Sequence, residues 1–138
     1  GVGISVNRDQ PPVEVNGDAE KLKSCMSNIV INALQAMPSG GTLTADVHRS
    51  NGFVEVKISD TGIGISEESL TKVFEPYFST KQSGFGLGLA VTKKIIEEHQ
   101  GHIEVSSRLN EGTTFTLTLP SVDGVAGENS DNRETKDG

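Results

Sequence analysis

Three short clusters carry residue types suited to holding a charged ligand. Asn28 and Asn32 stand four residues apart in a helical pattern, which stacks their amides on one side. By helical angle that side points away from the apolar stripe. Asparagine in a helix interior costs about half a kcal/mol or more relative to alanine, so two aligned ones point to a use. Asp60-Thr61-Gly62-Ile63-Gly64 follows directly on a strand pattern. A carboxylate at a strand end, followed by glycines that admit backbone closely, can accept from a ligand amine. Gly84-Phe85-Gly86-Leu87-Gly88-Leu89 leads into a second helical pattern. Backbone N–H groups and the positive dipole end at such a helix start suit phosphate. Each cluster also has a plainer reading. The amides can face solvent, Asp and Gly are common turn residues, and a lone Gly-x-Gly carries little weight. The last cluster is not a dinucleotide fingerprint, since no strand precedes it and its third glycine comes one residue early; nor does it match the P-loop.

Periodicity supplies the elements that must position these clusters. Residues 3–6 and 13–15 alternate as short strands. Asp18 suits a helix N-cap, and behind it Leu22, Cys25, Met26, Ile29, Ala33 and Met37 recur at helical spacing until Pro38-Ser39-Gly40-Gly41 stops the run. Strands at 42–47 and 53–59 are joined through Ser50-Asn51-Gly52 as a hairpin. Ser66-Glu67-Glu68-Ser69 opens a short helix to residue 73, residues 74–85 read as loop, and residues 87–99 form a helix closed by Gly101 as its C-cap. Strands follow at 103–106 and 113–119. The order β-β-α-β-β-α-α-β-β predicts an α/β two-layer sandwich, with a mixed, mostly antiparallel sheet and three helices on one face.

Composition narrows the classes. The 138 residues suit one domain, here 1–120, long enough to bury a core without disulfides or structural metal. Residues 121–138 hold five acids against two bases and three apolar residues, and are expected to be a disordered acidic tail. No apolar run approaches the roughly 18 residues of a transmembrane helix, and no signal segment opens the chain. A net charge of -7 argues against nucleic acid as a partner. The single cysteine, Cys25, falls on the apolar stripe and is expected to be inert core.

In this order and spacing the clusters gain weight together, and the chain resembles the GHKL (Bergerat-fold) ATP-binding superfamily. Within it, the resemblance is to the catalytic and ATP-binding domain of two-component sensor histidine kinases. The asparagine box is Asn28 to Ala36, the first glycine box Asp60-Thr61-Gly62-Ile63-Gly64, and the phenylalanine box Phe74-Glu75-Pro76-Tyr77-Phe78-Ser79-Thr80-Lys81. The second glycine box is Gly84-Phe85-Gly86-Leu87-Gly88-Leu89, and Gly112-Thr113-Thr114-Phe115 opens the closing strand. The short gap between Lys81 and Gly84 is similar to the nitrogen-regulation type, which has an abbreviated lid over the nucleotide.

The resemblance implies ATP and Mg2+ as cofactors. It implies that Asp60 receives the adenine amine, that Gly62 and Gly64 let the base lie against the backbone, and that Thr113 supports the adenine end through water. Asn32 matches the metal-binding asparagine, and its amide oxygen is a sensible ligand for magnesium. Asn28 can donate to phosphate or to a magnesium-bound water. Gly84, Gly86, Leu87 and Gly88 belong to the phosphate-side lid. Where many sensor kinases carry a lysine this chain has Gln35, so Lys81 is the replacement cation and, with Asn28, the catalytic candidate. Phe74, Pro76 and Phe78 are expected to anchor the lid by packing.

The superfamily's ATPases place a glutamate general base where this chain has Asn28, and an asparagine cannot take a proton at neutral pH. The γ-phosphoryl is then kept for a histidine on a separate dimerisation and phosphoacceptor domain, and relayed to a response-regulator receiver domain. His48, His99 and His102 do not resemble that acceptor. The isolated domain is expected to be a cytoplasmic monomer without direct membrane contact. Alternatives are a serine kinase of the anti-sigma-factor type, a clamp-type ATPase, and a non-catalytic module sensing ATP or ADP.

Overall fold

The computed structural model describes residues 1–8, 15, 17–76 and 88–121. Five strands form one mixed sheet in the order β1-β2-β3-β5-β4, from β1 (Val2–Arg8), β2 (Gly41–Ser50), β3 (Phe53–Asp60), β4 (His102–Arg108) and β5 (Gly112–Pro120). Helix α1 (Ala19–Gln35) carries the chain from β1 to β2, and this crossover makes them parallel. The other three pairings are antiparallel. The α/β sandwich with its mixed, mostly antiparallel sheet therefore stands as expected.

Alternation along the strands puts one face of the sheet against the helices. β5 alternates without exception, burying Thr113, Phe115, Leu117 and Leu119. Across it, β3 buries Val54, Ile58 and Asp60 on the same face. Onto that face α1 lays Cys25, Ile29 and Ala33, and α3 (Gly88–Glu98) lays Ile95 and Ile96. The opposite face is polar and half-buried: Ser59 bonds Thr114 across strands, and Glu55 pairs with His48 and Lys57.

Local chemistry places the ends. Asp18 caps α1 through Lys21 N at 3.1 Å, as expected. Asn51 and Gly52 both take positive φ, the backbone of a two-residue hairpin whose twist suits the strands. Three expectations change. Helix α2 (Glu67–Leu70) ends before residue 73; Thr71 turns its hydroxyl to Glu68 O, and single turns carry the chain on toward Pro76. The left-handed residue closing α3 is Gln100 (φ 60), not Gly101. Gln100 N bonds Glu97 O and Gly101 N bonds Ile96 O, a Schellman pair. Gly101 is glycine for another reason: a Cβ there would lie 2.5 Å from Thr118 O. Third, Ser121 belongs to the folded unit: it is buried, bridges Val15 and donates its N–H to Gly52 O. Of the strand expected at 13–15 only Val15 is described, and the rest of the expected tail, 122–138, lies outside the described residues. Among the described residues no helix is long and apolar enough to cross a membrane.

Candidate functional site

Asp60 closes β3 and is only 8% exposed. A buried carboxylate needs partners, and its Oδ1 accepts from Gly62 N at 2.8 Å, which turns the chain sharply away from the strand. The turn lands on α1: Ile63 N donates to Ala36 O at 2.9 Å, one residue past the helix. This contact explains Gly62, because a Cβ there would sit 2.3 Å from the same carbonyl. Gly64 has φ +76, and its Cβ would fall 2.1 Å from Arg108 O. Both glycines of the first box are thus required by the protein's own packing, whatever they do for a ligand.

Thr113 lies opposite Asp60 in the β3–β5 register, and Ser107 opposite Thr113 in the β4–β5 register. The three form a polar row at the end of an otherwise apolar face. Ser107 Oγ donates to Gly112 O and accepts from Ile65 N, both at 2.8 Å. Its one proton is spent, so Thr113 Oγ1, 2.8 Å away, must be the donor between them. Thr113 is left with acceptor capacity alone. Gly112 (φ +133) brings β5 so close that a Cβ would overlap Asp60 O. Asp60, Ser107, Arg108, Glu111, Gly112 and Thr113 are among the residues that line an open cavity of ≈ 280 Å³.

The asparagines lie farther back on α1, both half-buried rather than turned to solvent. Asn32 Nδ2 donates to Asn28 O at 3.1 Å. Asn28 Nδ2 reaches α3, donating to Thr92 Oγ1 at 3.2 Å and Gly88 O at 3.4 Å. The first glycine of α3 therefore sits over the Asn28 amide, 3.6 Å from its Cγ to a built Cβ. The Asn28 donor is engaged with α3, and no described residue donates to its Oδ1.

Lys81, Gly84, Gly86, Leu87 and Phe78 lie outside the described residues. Phe74 packs edge-on to Phe115 at 6.4 Å between centroids with Lys93 over its ring, and Pro76 is exposed. Cys25 is fully buried, and burial pushes its thiol pKa up despite a weak bond to Thr92. Sequence reading missed two residues here, Ser107 and Thr92, and named Gly112 only as the opening of the closing strand. Ser107 breaks the inward apolar series Ile103, Val105. Thr92 is the one polar side chain in α3 that is fully buried, a position where its hydroxyl finds the carbonyl one turn back.

Residues 17–123 match the family model described as Histidine kinase-, DNA gyrase B-, and HSP90-like ATPase. The chain is 39% identical over 120 residues to sporulation kinase A of Bacillus subtilis (strain 168), covering 87% of this chain and 20% of that protein. It is similar to the catalytic domain of the histidine kinase ThkA, with TM-score 0.78 and 32% identity over 86% of this chain and 78% of that one. It is also similar to full-length ShkA, solved in complex with AMPPNP, with TM-score 0.72 and 26% identity over 88% of this chain and 26% of that one. The chain thus spans about a fifth of the curated relative. A buried acceptor on β3 meets the C-terminal end of α1, and the asparagine pair and the start of α3 lie farther back along the same helix. The chain belongs to the histidine kinase-, DNA gyrase B- and HSP90-like ATPase family, as a catalytic domain of the sensor histidine kinase kind.

Proposed function

We propose that the chain binds ATP with Mg2+ and donates the γ-phosphoryl group to a histidine on a separate dimerisation and phosphoacceptor domain of the same kinase. A response-regulator receiver domain is the onward acceptor in this reading. The observation that carries it is the use of α1 as a ruler. The Asp60 turn is pinned at Ala36 and the start of α3 at Asn28. Eight residues separate these points, about 12 Å of helix, a span suited to an extended nucleoside triphosphate. Asp60 accepts the adenine amine at one end, with Thr113 accepting from a water beside it. At the other end the α3 N-terminus and Gly88 face the phosphates.

Mg2+ fits the donor set as a hard cation that takes amide oxygens and keeps waters. Asn32 holds it, and Asn28 presents Oδ1 beside it. Among the described residues no group of three or more His, Cys, Asp or Glu could hold a metal, and in this reading the asparagines and the phosphates hold it. Bound magnesium supplies charge neutralisation of the triphosphate. Lys81 supplies further positive charge there. With an amide at residue 28 and no carboxylate, water has no general base at that point, and hydrolysis is slow.

The test is calorimetric titration with ATP and ADP, with and without Mg2+, on wild type, Asp60→Asn and Asn32→Ala. One charge-assisted hydrogen bond is worth about 1.5–3 kcal/mol, so Asp60→Asn should weaken ATP binding about 10- to 100-fold. Asn32→Ala should remove the magnesium dependence and leave metal-free affinity in place. A folded wild type that binds no ATP would sink the reading.

A further inference from the structure

Thr92 is fully buried on α3, on the side that meets α1, the helix carrying the asparagines. Its hydroxyl has a single proton, donated to Gly88 O at 2.8 Å. The lone pairs therefore face Asn28, and the only atom of that amide able to meet them is Nδ2, at 3.2 Å. The second proton of Nδ2 is donated to Gly88 O, with 3.4 Å between nitrogen and oxygen. Rotated by half a turn, the amide would set its oxygen against two acceptors. An asparagine amide without such neighbours presents nitrogen or oxygen as its ligand asks. Asn28 has lost that choice, and its Oδ1 accepts from no described residue.

We propose that Thr92 is a positioning residue that holds the Asn28 amide with its oxygen free for the metal side of the nucleotide. Thr92 touches no ligand itself. It rests on the ATP-Mg2+ reading above and deepens it: Asn28 serves as an acceptor to magnesium or its bound water, not as a donor to phosphate. It also ties the start of α3 to α1, so the amide and the phosphate-facing helix end move together.

The experiment measures ATP affinity with and without Mg2+ for wild type, Thr92→Val, Thr92→Ala and Thr92→Ser, each checked by thermal melting. Valine keeps the shape and removes the hydroxyl; alanine guards against a repacking artefact of valine; serine restores the hydroxyl. The expected result is a two- to tenfold loss of the magnesium-dependent gain in affinity for Val and Ala, about the worth of one hydrogen bond. Metal-free affinity should stay within about twofold, and Ser should recover the wild-type gain. In an Asn28→Ala background, Thr92→Val should have no further effect, because its action runs through that amide. Equal losses with and without metal, no loss at all, or a loss that persists without Asn28 would each overturn the proposal. Those outcomes leave wild-type ATP binding intact. Failure of the parent reading differs: wild type itself then binds no ATP, and the role of Thr92 falls with it.

Discussion

Asn28 and Asn32 share a helix side but not a neighbourhood. Asn32 turns its nitrogen back to the Asn28 carbonyl, within its own helix, while Asn28 turns its nitrogen outward to α3. Spacing placed both amides on one side; only the neighbour across the gap orients Asn28. The glycines of the first box show the same limit. Their identity is plain in the sequence, but the reason for them lies at residues 36 and 108, the carbonyls a Cβ would strike. Cys25 permits a residue-scale prediction. Burial raises its thiol pKa above the ordinary 9.0, so the folded state keeps the proton longer than the unfolded state does. The stability tied to that proton is whole below pH 9 and is lost as pH rises toward the folded value, with a slope of at most about 1.4 kcal/mol per pH unit. Urea unfolding from pH 7 to 10.5 should show this extra alkaline loss in wild type and not in Cys25→Ala, which is less stable at pH 7 for its lost packing. Identical slopes would show that the thiol does not titrate on unfolding.

At the scale of elements, the end of α3 illustrates how a correct helix can have its stop misassigned. Gly101 reads as the cap because glycine usually fills the left-handed position. The structure gives that position to Gln100 and uses the glycine for close contact with β5. Opposite substitution effects follow. Gln100→Gly relieves a left-handed side chain that costs about 1–2 kcal/mol, partly offset by glycine's greater freedom when unfolded, for a net gain of about 0.5 kcal/mol. Gly101→Ala should instead cost about 1–3 kcal/mol, since Thr118 and Ile96 must shift. Denaturant midpoints decide this, and a neutral Gly101→Ala would remove the contact argument. The same helix end also holds α1. His99 Nε2 accepts from Asp18 N while Nδ1 faces Ile95 O, so the ring joins the end of one helix to the start of the other. The tie to Asp18 could not be read from spacing, as the partners are 81 residues apart.

For the molecule as a whole, the sheet has one face committed to helices and one left polar, and the adenine end of the proposed site lies where the apolar face runs out. Asp60, Thr113 and Ser107 finish three neighbouring strands at that end. The histidines lie elsewhere and are engaged: His48 with Glu55, His102 with Glu104, and His99 through both ring nitrogens. Incubation of the chain alone with γ-labelled ATP should therefore leave no acid-labile phosphate on it. Addition of a dimerisation domain carrying an acceptor histidine should produce label on that partner. Label on the chain itself, lost in a variant of one of these histidines, would contradict the division of the reaction between two domains.

The sequence alone determined the elements and the box residues, because helical and strand periods, caps and turn residues are local in the chain. It also determined the chemistry forbidden at residue 28, since an amide cannot act as a base wherever it is placed. Tertiary structure alone decided which atoms of the polar side chains are already engaged with remote parts of the chain. For Asn28 the engagement is made by residues distant in sequence, since Nδ2 meets Thr92 and Gly88 only because α3 packs against α1, 64 and 60 residues along the chain.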